Sequence, residues 1–149
     1  MKKRILTLIF IAISLQMKSQ TIEAKDSLII NFMTEWIGTP YKFGGSTKSG
    51  IDCSQLNKKF YQYVYRITLP DVCYKQFNAT QRIKKDSLRV GDLVFFRSTR
   101  SPSGWHCGCY VGDNMFLHAP QRGERVKISS LNEERYKRNY KGAGRIYPL

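Results

Sequence analysis

No stretch of this chain is apolar for long enough to cross a bilayer: the longest mostly hydrophobic run, Ile5–Leu15, is about half of the ~20 residues that a membrane helix needs. Acidic residues are scarce, 11 against 25 lysines and arginines, which leaves a formal charge of +14 and favours polyanionic partners. The basic residues are nonetheless scattered, at Lys58-Lys59, Lys84-Lys85, Arg97 to Arg100 and Arg135 to Lys141, without an aromatic-interleaved run or a nucleic-acid motif. No nucleic-acid partner is therefore expected. Internal repeats, linkers and low-complexity segments are also missing, which points to one domain. Histidine is as rare as tryptophan, at two each. Only His106 and His118 occur, so any imidazole chemistry must use one or both.

The apolar run follows a basic start, MKKR, and ends in small polar residues, the pattern of a signal peptide cut near Ser19 or Gln20. The expected division is a signal peptide over residues 1–19 and one domain over residues 20–149, enough for a modest core. No cysteine follows the run, which argues against a lipoprotein anchor; an uncleaved tethering segment is the alternative. Removing residues 1–19 takes away Lys2, Lys3, Arg4 and Lys18 and no acid, lowering the charge from +14 to +10. The chain is thus expected to be exported, to the periplasm or outside the cell, with no transmembrane span in its mature form. Anionic polymers of the cell envelope are then its economical polyanionic partners.

What the sequence does have is a cysteine in an unusual setting. Cys53 lies in GGSTKSGIDCSQL, where a Gly-rich loop runs into Asp52 and then into an apolar-periodic segment. That spacing predicts a helix beginning at the cysteine, with Asp52 as its cap and Leu56, Phe60 and Val64 on one face. Asn57, Lys58 and Tyr65 fall on the other face, and Leu69-Pro70 ends the helix. A helix N-terminus offers unpaired N–H groups and the positive end of the macrodipole, both expected to lower a thiol pKa. A single cysteine is more often a packing residue. The histidines shift the balance. Trp105–Val111 and Met115–Ala119 read as strands joined by the turn-rich Gly112-Asp113-Asn114, a hairpin that makes His106 and His118 neighbours or leaves them one step offset. One imidazole can then orient the other beside the thiol.

Elsewhere the periodicity predicts a first helix over residues 22–36, stopped by Gly38-Thr39-Pro40, and a loop or short helix over 71–85. Asp92–Arg97 reads as a strand leading into a Ser, Pro and Gly-rich loop, Ser98–Gly104, that should border any groove at His106. Val126–Ser129 is another strand, Ser130 to Glu133 matches a capping box for a helix through about Tyr140, and Gly144–Tyr147 is a closing strand. Helices first and strands later predict an α+β fold with an antiparallel sheet.

The runs GTPYKFGG, GIDCSQL, DSLRVGDLVFFR, HCGCYVGDNMFLHAP and VKISSLNEERYKRNYKGAGRIY, in this order over residues 34–148, resemble the NlpC/P60 family of cell-wall cysteine peptidases. The resemblance implies a papain-like fold, with helices packed on a central antiparallel β-sheet and the nucleophile at a helix N-terminus. It also implies that Cys53 is the nucleophile, His106 the general base, His118 the third, orienting residue, and Tyr41 the tyrosine whose hydroxyl helps to bind the oxyanion. The family's usual substrate is the amide between D-glutamate and a diamino acid in peptidoglycan stem peptides, cut through a thioester. The cysteine precedes the histidines, as in the family's ordinary form and not its circular permutants. Gln55 stands where most members have glycine, which bears on pocket shape and specificity; a catalytically silent peptidoglycan-binding module on the same fold is the alternative. No separate wall-binding module is visible.

The remaining cysteines are expected to be packing residues. Cys107 and Cys109 share a strand face, too far apart for easy bridging, while a Cys73 bridge to either stays open. No cofactor or metal is expected, since His106 and Cys107 are adjacent on a strand and point to opposite faces.

Overall fold

The computed structural model describes residues 2–146. Its first helix, α1 (Lys2–Trp36), is unbroken for 35 residues and far longer than the segment whose spacing predicts a helix. Of residues 11–36, only the last turns pack. Residues 11–27 are exposed, and burial sets in at Ile29, Phe32 and Trp36. The expected boundary near residue 19 falls within this exposed stretch. No helix among the described residues is long and apolar enough to cross a membrane.

Two short antiparallel strands, β1 (Ser46–Thr47) and β2 (Gly50–Ile51), deliver the chain to α2 (Cys53–Tyr65). This helix starts where the sequence places it because Asp52 is extended and its carboxylate accepts the Gln55 N–H at 2.8 Å. Leu56, Phe60, Tyr61 and Val64 are buried, and Arg66 closes the helix in the left-handed conformation at φ 60°. One expectation fails: Asn57 is buried rather than solvated. Its amide donates to Gln76 Oε1 at 3.3 Å, and the fully buried Gln76 donates in turn to the carbonyls of Ser54 (2.9 Å) and Pro70 (2.8 Å). The satisfied Gln76 amide ties two elements together, whereas Asn57 Oδ1 is buried without a partner among the described residues, which costs about 1–3 kcal/mol. Gln76 belongs to α3 (Cys73–Asn78), which β3 (Gln81–Ile83) follows, so residues 71–85 hold both a helix and a strand.

The other strands are β4 (Leu93–Arg97), β5 (Trp105–Gly112), β6 (Met115–His118), β7 (Lys127–Ser130) and, after the short helix α4 (Glu134–Asn139), β8 (Tyr140–Arg145). Together with β3 they form a six-stranded antiparallel sheet in the order β3-β8-β4-β5-β6-β7. The last strand begins earlier than the sequence predicts, and Tyr147 lies outside the described residues. α4 also starts late, since Ser130–Glu133 forms a turn of its own. The Ser130 N–H donates to Glu133 Oε1 at 2.9 Å, and the Glu133 N–H returns to the Ser130 carbonyl at 3.2 Å.

Strand alternation divides the core in two. Leu93, Phe95, Cys107, Cys109 and Leu117 pack with α1 and α2, whereas Val94, Phe96 and Phe116 pack with Leu131 and Tyr136 in a smaller cluster. Each fully buried phenylalanine contributes about 1.5–3 kcal/mol. A buried ion pair fastens β8 to the start of β4, with Arg145 Nε and Nη2 each 2.7 Å from an Asp92 oxygen. The result is the α+β architecture with an antiparallel sheet that the sequence predicts.

Candidate active site

Cys53 is the first residue of α2 and is buried. Three backbone N–H groups near its sulfur, those of Cys107, Ser54 and Cys53 itself, favour the thiolate. They do not prevail. Burial, and after it the Asp52 carboxylate, pushes the thiol up to about 12, so the expectation that the helix N-terminus yields a lowered pKa is overturned. Asp52 cannot turn away, because its oxygens accept from the N–H groups of Gly44 (2.9 Å) and Gln55 (2.8 Å) and from the Ser54 hydroxyl (2.8 Å). At neutral pH Cys53 is a thiol.

A cavity of about 250 Å³ opens at this thiol, lined among others by Tyr41, Gln55, Asp71, Ser101 and Ser103. Tyr41 is anchored through its N–H to the Glu124 carbonyl at 2.9 Å. Burial first, then the charges of Cys53 and Asp52, raise its phenol to about 12, which keeps the hydroxyl protonated and able to donate. Gln55 is not loose in this cavity. Its amide donates to the Asp71 carbonyl at 3.1 Å, and Lys58 holds the same residue's carboxylate at 2.6 Å. Gln55 therefore braces the segment that leads into Cys73.

The two histidines meet across the β5–β6 hairpin. Asp113 and Asn114 both adopt left-handed backbone (φ 50° and 58°), the geometry of the tight turn that asparagine and aspartate tolerate best after glycine. Cys109 pairs with Leu117, so His118 lies opposite Gly108, on the same face as His106. A side chain at Gly108 would stand 2.6 Å from a Phe116 ring carbon and 3.1 Å from His118 Cβ, which is why glycine stands between Cys107 and Cys109. His106 Nε2 and His118 Nδ1 are 2.9 Å apart. Burial, and next Arg135, takes His106 down to about 3, and burial with His106 takes His118 lower as well; both rings are neutral. Behind them Tyr136 Oη approaches His118 Nε2 at 3.5 Å and bonds the Ser129 side chain. Tyr136 escaped the sequence reading, since nothing in its spacing within α4 marks it.

Thiol and imidazole approach from different sides. Cys53 packs in the larger core cluster, His106 against Phe96 of the smaller one. His106 does not line the Cys53 cavity but a neighbouring one. The Cys107 N–H near the Cys53 sulfur sets the thiol against the residue that follows His106. The Ser98–Gly104 loop borders both cavities, as expected, giving Ser101 and Ser103 to one and Ser98, Thr99 and Arg100 to the other.

The packing role expected of Cys73 and Cys107 is corrected: they form a disulfide, with Cα atoms 6.0 Å apart. α3 lies against β5, and this approach, invisible in the sequence, decides the pairing. Cys109 is a buried free thiol, as expected. The Cys53 sulfur sits 3.4 Å from that of Cys73, and the sulfurs of Cys53, Cys73 and Cys107 all lie within 4.8 Å of one another. Three thiolates so placed suit a soft metal ion. With two of them joined, Cys53 alone remains to react.

Residues 38–145 match the NlpC/P60 family. The chain belongs to that family. Over 121 residues the NlpC/P60 domain is 40% identical to a probable endopeptidase NlpC homolog of Haemophilus influenzae, covering 81% of this chain and 63% of the relative. Over 120 residues it is 38% identical to the murein DD-endopeptidase MepS/murein LD-carboxypeptidase of Escherichia coli K12, covering 80% and 62%. Among solved structures, an NlpC/P60 family protein from Bacillus cereus is similar with a TM-score of 0.73 and 31% identity, over 83% of this chain and 40% of the other. The chain thus spans about three fifths of the length of the two curated relatives.

Proposed function

We propose that the NlpC/P60 domain is a cysteine endopeptidase that hydrolyses an amide bond in peptidoglycan stem peptides, exported after loss of residues 1–19. The observation that carries this reading is the paired setting of its groups. A thiol with three N–H groups near its sulfur opens a helix, and a histidine held by a second histidine stands one residue from the strand N–H that lies near that sulfur.

Cys53 attacks the amide carbonyl, and because its thiol is neutral, His106 removes the proton as the bond forms. Nε2 of His106 is engaged by His118, so Nδ1 is the accepting nitrogen. That choice fixes the tautomers behind it: His106 Nε2–H donates to His118 Nδ1, and His118 Nε2–H to Tyr136 Oη. The Tyr41 hydroxyl and the Cys53 N–H stabilise the oxyanion, a donor of this type being worth about 10²–10³ in turnover. His106 then protonates the leaving amine, and water hydrolyses the thioester.

The bond that the family resemblance implies is D-γ-glutamyl–diamino acid; the name of the Escherichia coli relative favours, as a second reading, the D,D-cross-link. Mass spectrometry of peptidoglycan fragments incubated with the mature chain and with Cys53→Ala tests both. New fragments from the wild type alone support the endopeptidase, and their masses identify the bond. Wall binding without any cleavage would favour the silent module instead.

A further inference from the structure

The cavity beside the one at Cys53 has a character of its own. It measures about 230 Å³ and is lined by Phe96, Arg97, Ser98, Thr99, Arg100, His106, Arg135, Tyr136 and Asn139, with three arginines and no carboxylate. The guanidinium groups of Arg100 and Arg135 are not free to wander. Both donate to one acceptor, Gln121 Oε1, at 3.1 and 2.9 Å, which brings a loop arginine and a helix arginine together at the cavity mouth. Glu124 pairs with Arg135 Nη1 at 3.5 Å and with Lys127 at 2.7 Å, and so neutralises part of one arginine and none of Arg100. Arg135 is close enough to His106 to lower its basicity.

We infer that this cavity is an anion subsite that receives a free carboxylate of the substrate fragment leaving as the amine. The inference rests on the proposed endopeptidase reading for its direction. His106 gives the leaving amine its proton, so the space that His106 shares belongs to the amine side of the scissile bond. Guanidinium groups bind carboxylates through paired, charge-assisted N–H donors, and two of them preset by a shared acceptor lose little freedom when the anion arrives. Ser98 and Thr99 supply hydroxyls at the rim. The substrate class follows: stem peptides whose diamino residue bears an unmodified carboxylate, in preference to those in which that group is amidated or lacking.

The test uses two synthetic stem peptides identical except for a carboxylate or a carboxamide on the diamino residue, and the full-length chain. Calorimetric titration of the Cys53→Ala protein separates binding from turnover. The acid should bind roughly tenfold more tightly than the amide, the magnitude of one charge-assisted contact. Arg135→Gln on that background, and independently Arg100→Gln on the exposed loop, should shrink the preference to about twofold, with Arg135→Lys restoring part of it. In the wild type, the same difference should fall on KM and spare kcat. Equal binding of acid and amide, or a preference that survives both glutamine substitutions, overturns the subsite. If neither peptide is cleaved by wild type while the binding preference holds, the endopeptidase reading fails and the anion subsite stands.

Discussion

At Cys53 two general expectations compete, and their magnitudes decide the outcome. A helix N-terminus stabilises an adjacent anion by about 0.3–1 kcal/mol when exposed, whereas removing a charge from water costs several. Burial wins, reinforced by a carboxylate one residue away. Iodoacetamide should therefore alkylate Cys53 slowly at neutral pH, and the rate should climb about tenfold per pH unit past 9, the ordinary thiol value, without levelling off. A plateau near neutrality would mean a preformed thiolate–imidazolium pair. Asp52→Asn removes the charge that raises the thiol, so alkylation at fixed pH should accelerate. Because it also removes one acceptor from the Gly44 N–H, stability should drop by about 1 kcal/mol in urea denaturation. The sequence exposes Asp52 as a cap because capping is local. It does not expose the sign of the thiol's shift, which depends on how completely helix, loop and strand cover one sulfur.

The same contrast holds for whole elements. α2 was legible because a cap, apolar residues four apart and a closing Leu69-Pro70 all lie within or beside the element itself, whereas its left-handed stop at Arg66 was not read. The β5–β6 hairpin was legible because its turn residues prescribe the register that brings two imidazoles together. β3 was not, being a short edge strand with exposed Gln81 and Arg82 and no apolar alternation. Nor was the bond between Cys73 and Cys107, whose partners are chosen by the docking of α3. That bond closes a loop with a sequence separation of 34, for which chain entropy gives an upper figure of about 4 kcal/mol. Cys107→Ser should lower the urea midpoint by roughly that free energy or less, and Cys73→Ser should match it within error. Midpoints equal to wild type would show that α3 is held by Gln76 and its carbonyl partners alone.

Taken as a whole, the molecule keeps two imidazoles neutral in its interior while its surface is strongly basic. In the unfolded chain each histidine takes up a proton near its usual 6.5; in the fold His106 does so only near 3 and His118 well below 6.5. A lowered folded-state pKa means that this contribution to stability is complete above 6.5 and is lost as pH falls from there toward 3. Each histidine adds about 1.4 kcal/mol per pH unit to the decline. Denaturant midpoints should thus hold steady from neutrality down to about 6.5 and fall steeply below it, and a flat profile down to pH 5 would contradict the buried neutral pair. The surface gives a separate expectation: the chain without residues 1–19, carrying +10, should cosediment with anionic envelope polymers at low salt and release them as salt rises.

β5 works by parity. Its odd positions, Cys107 and Cys109, serve the helical side of the sheet, and its even positions, His106 and Gly108, serve the other. Every alternate residue of β6 inherits its side from the tight turn at Asp113 and Asn114. One residue added to or dropped from that turn would exchange the sides of β6, sending His118 to the helices and Leu117 to His106, although no site residue had changed identity. Natural variation in this hairpin should accordingly be far freer in composition than in length, and a single-codon deletion there should be as damaging as the loss of a catalytic side chain.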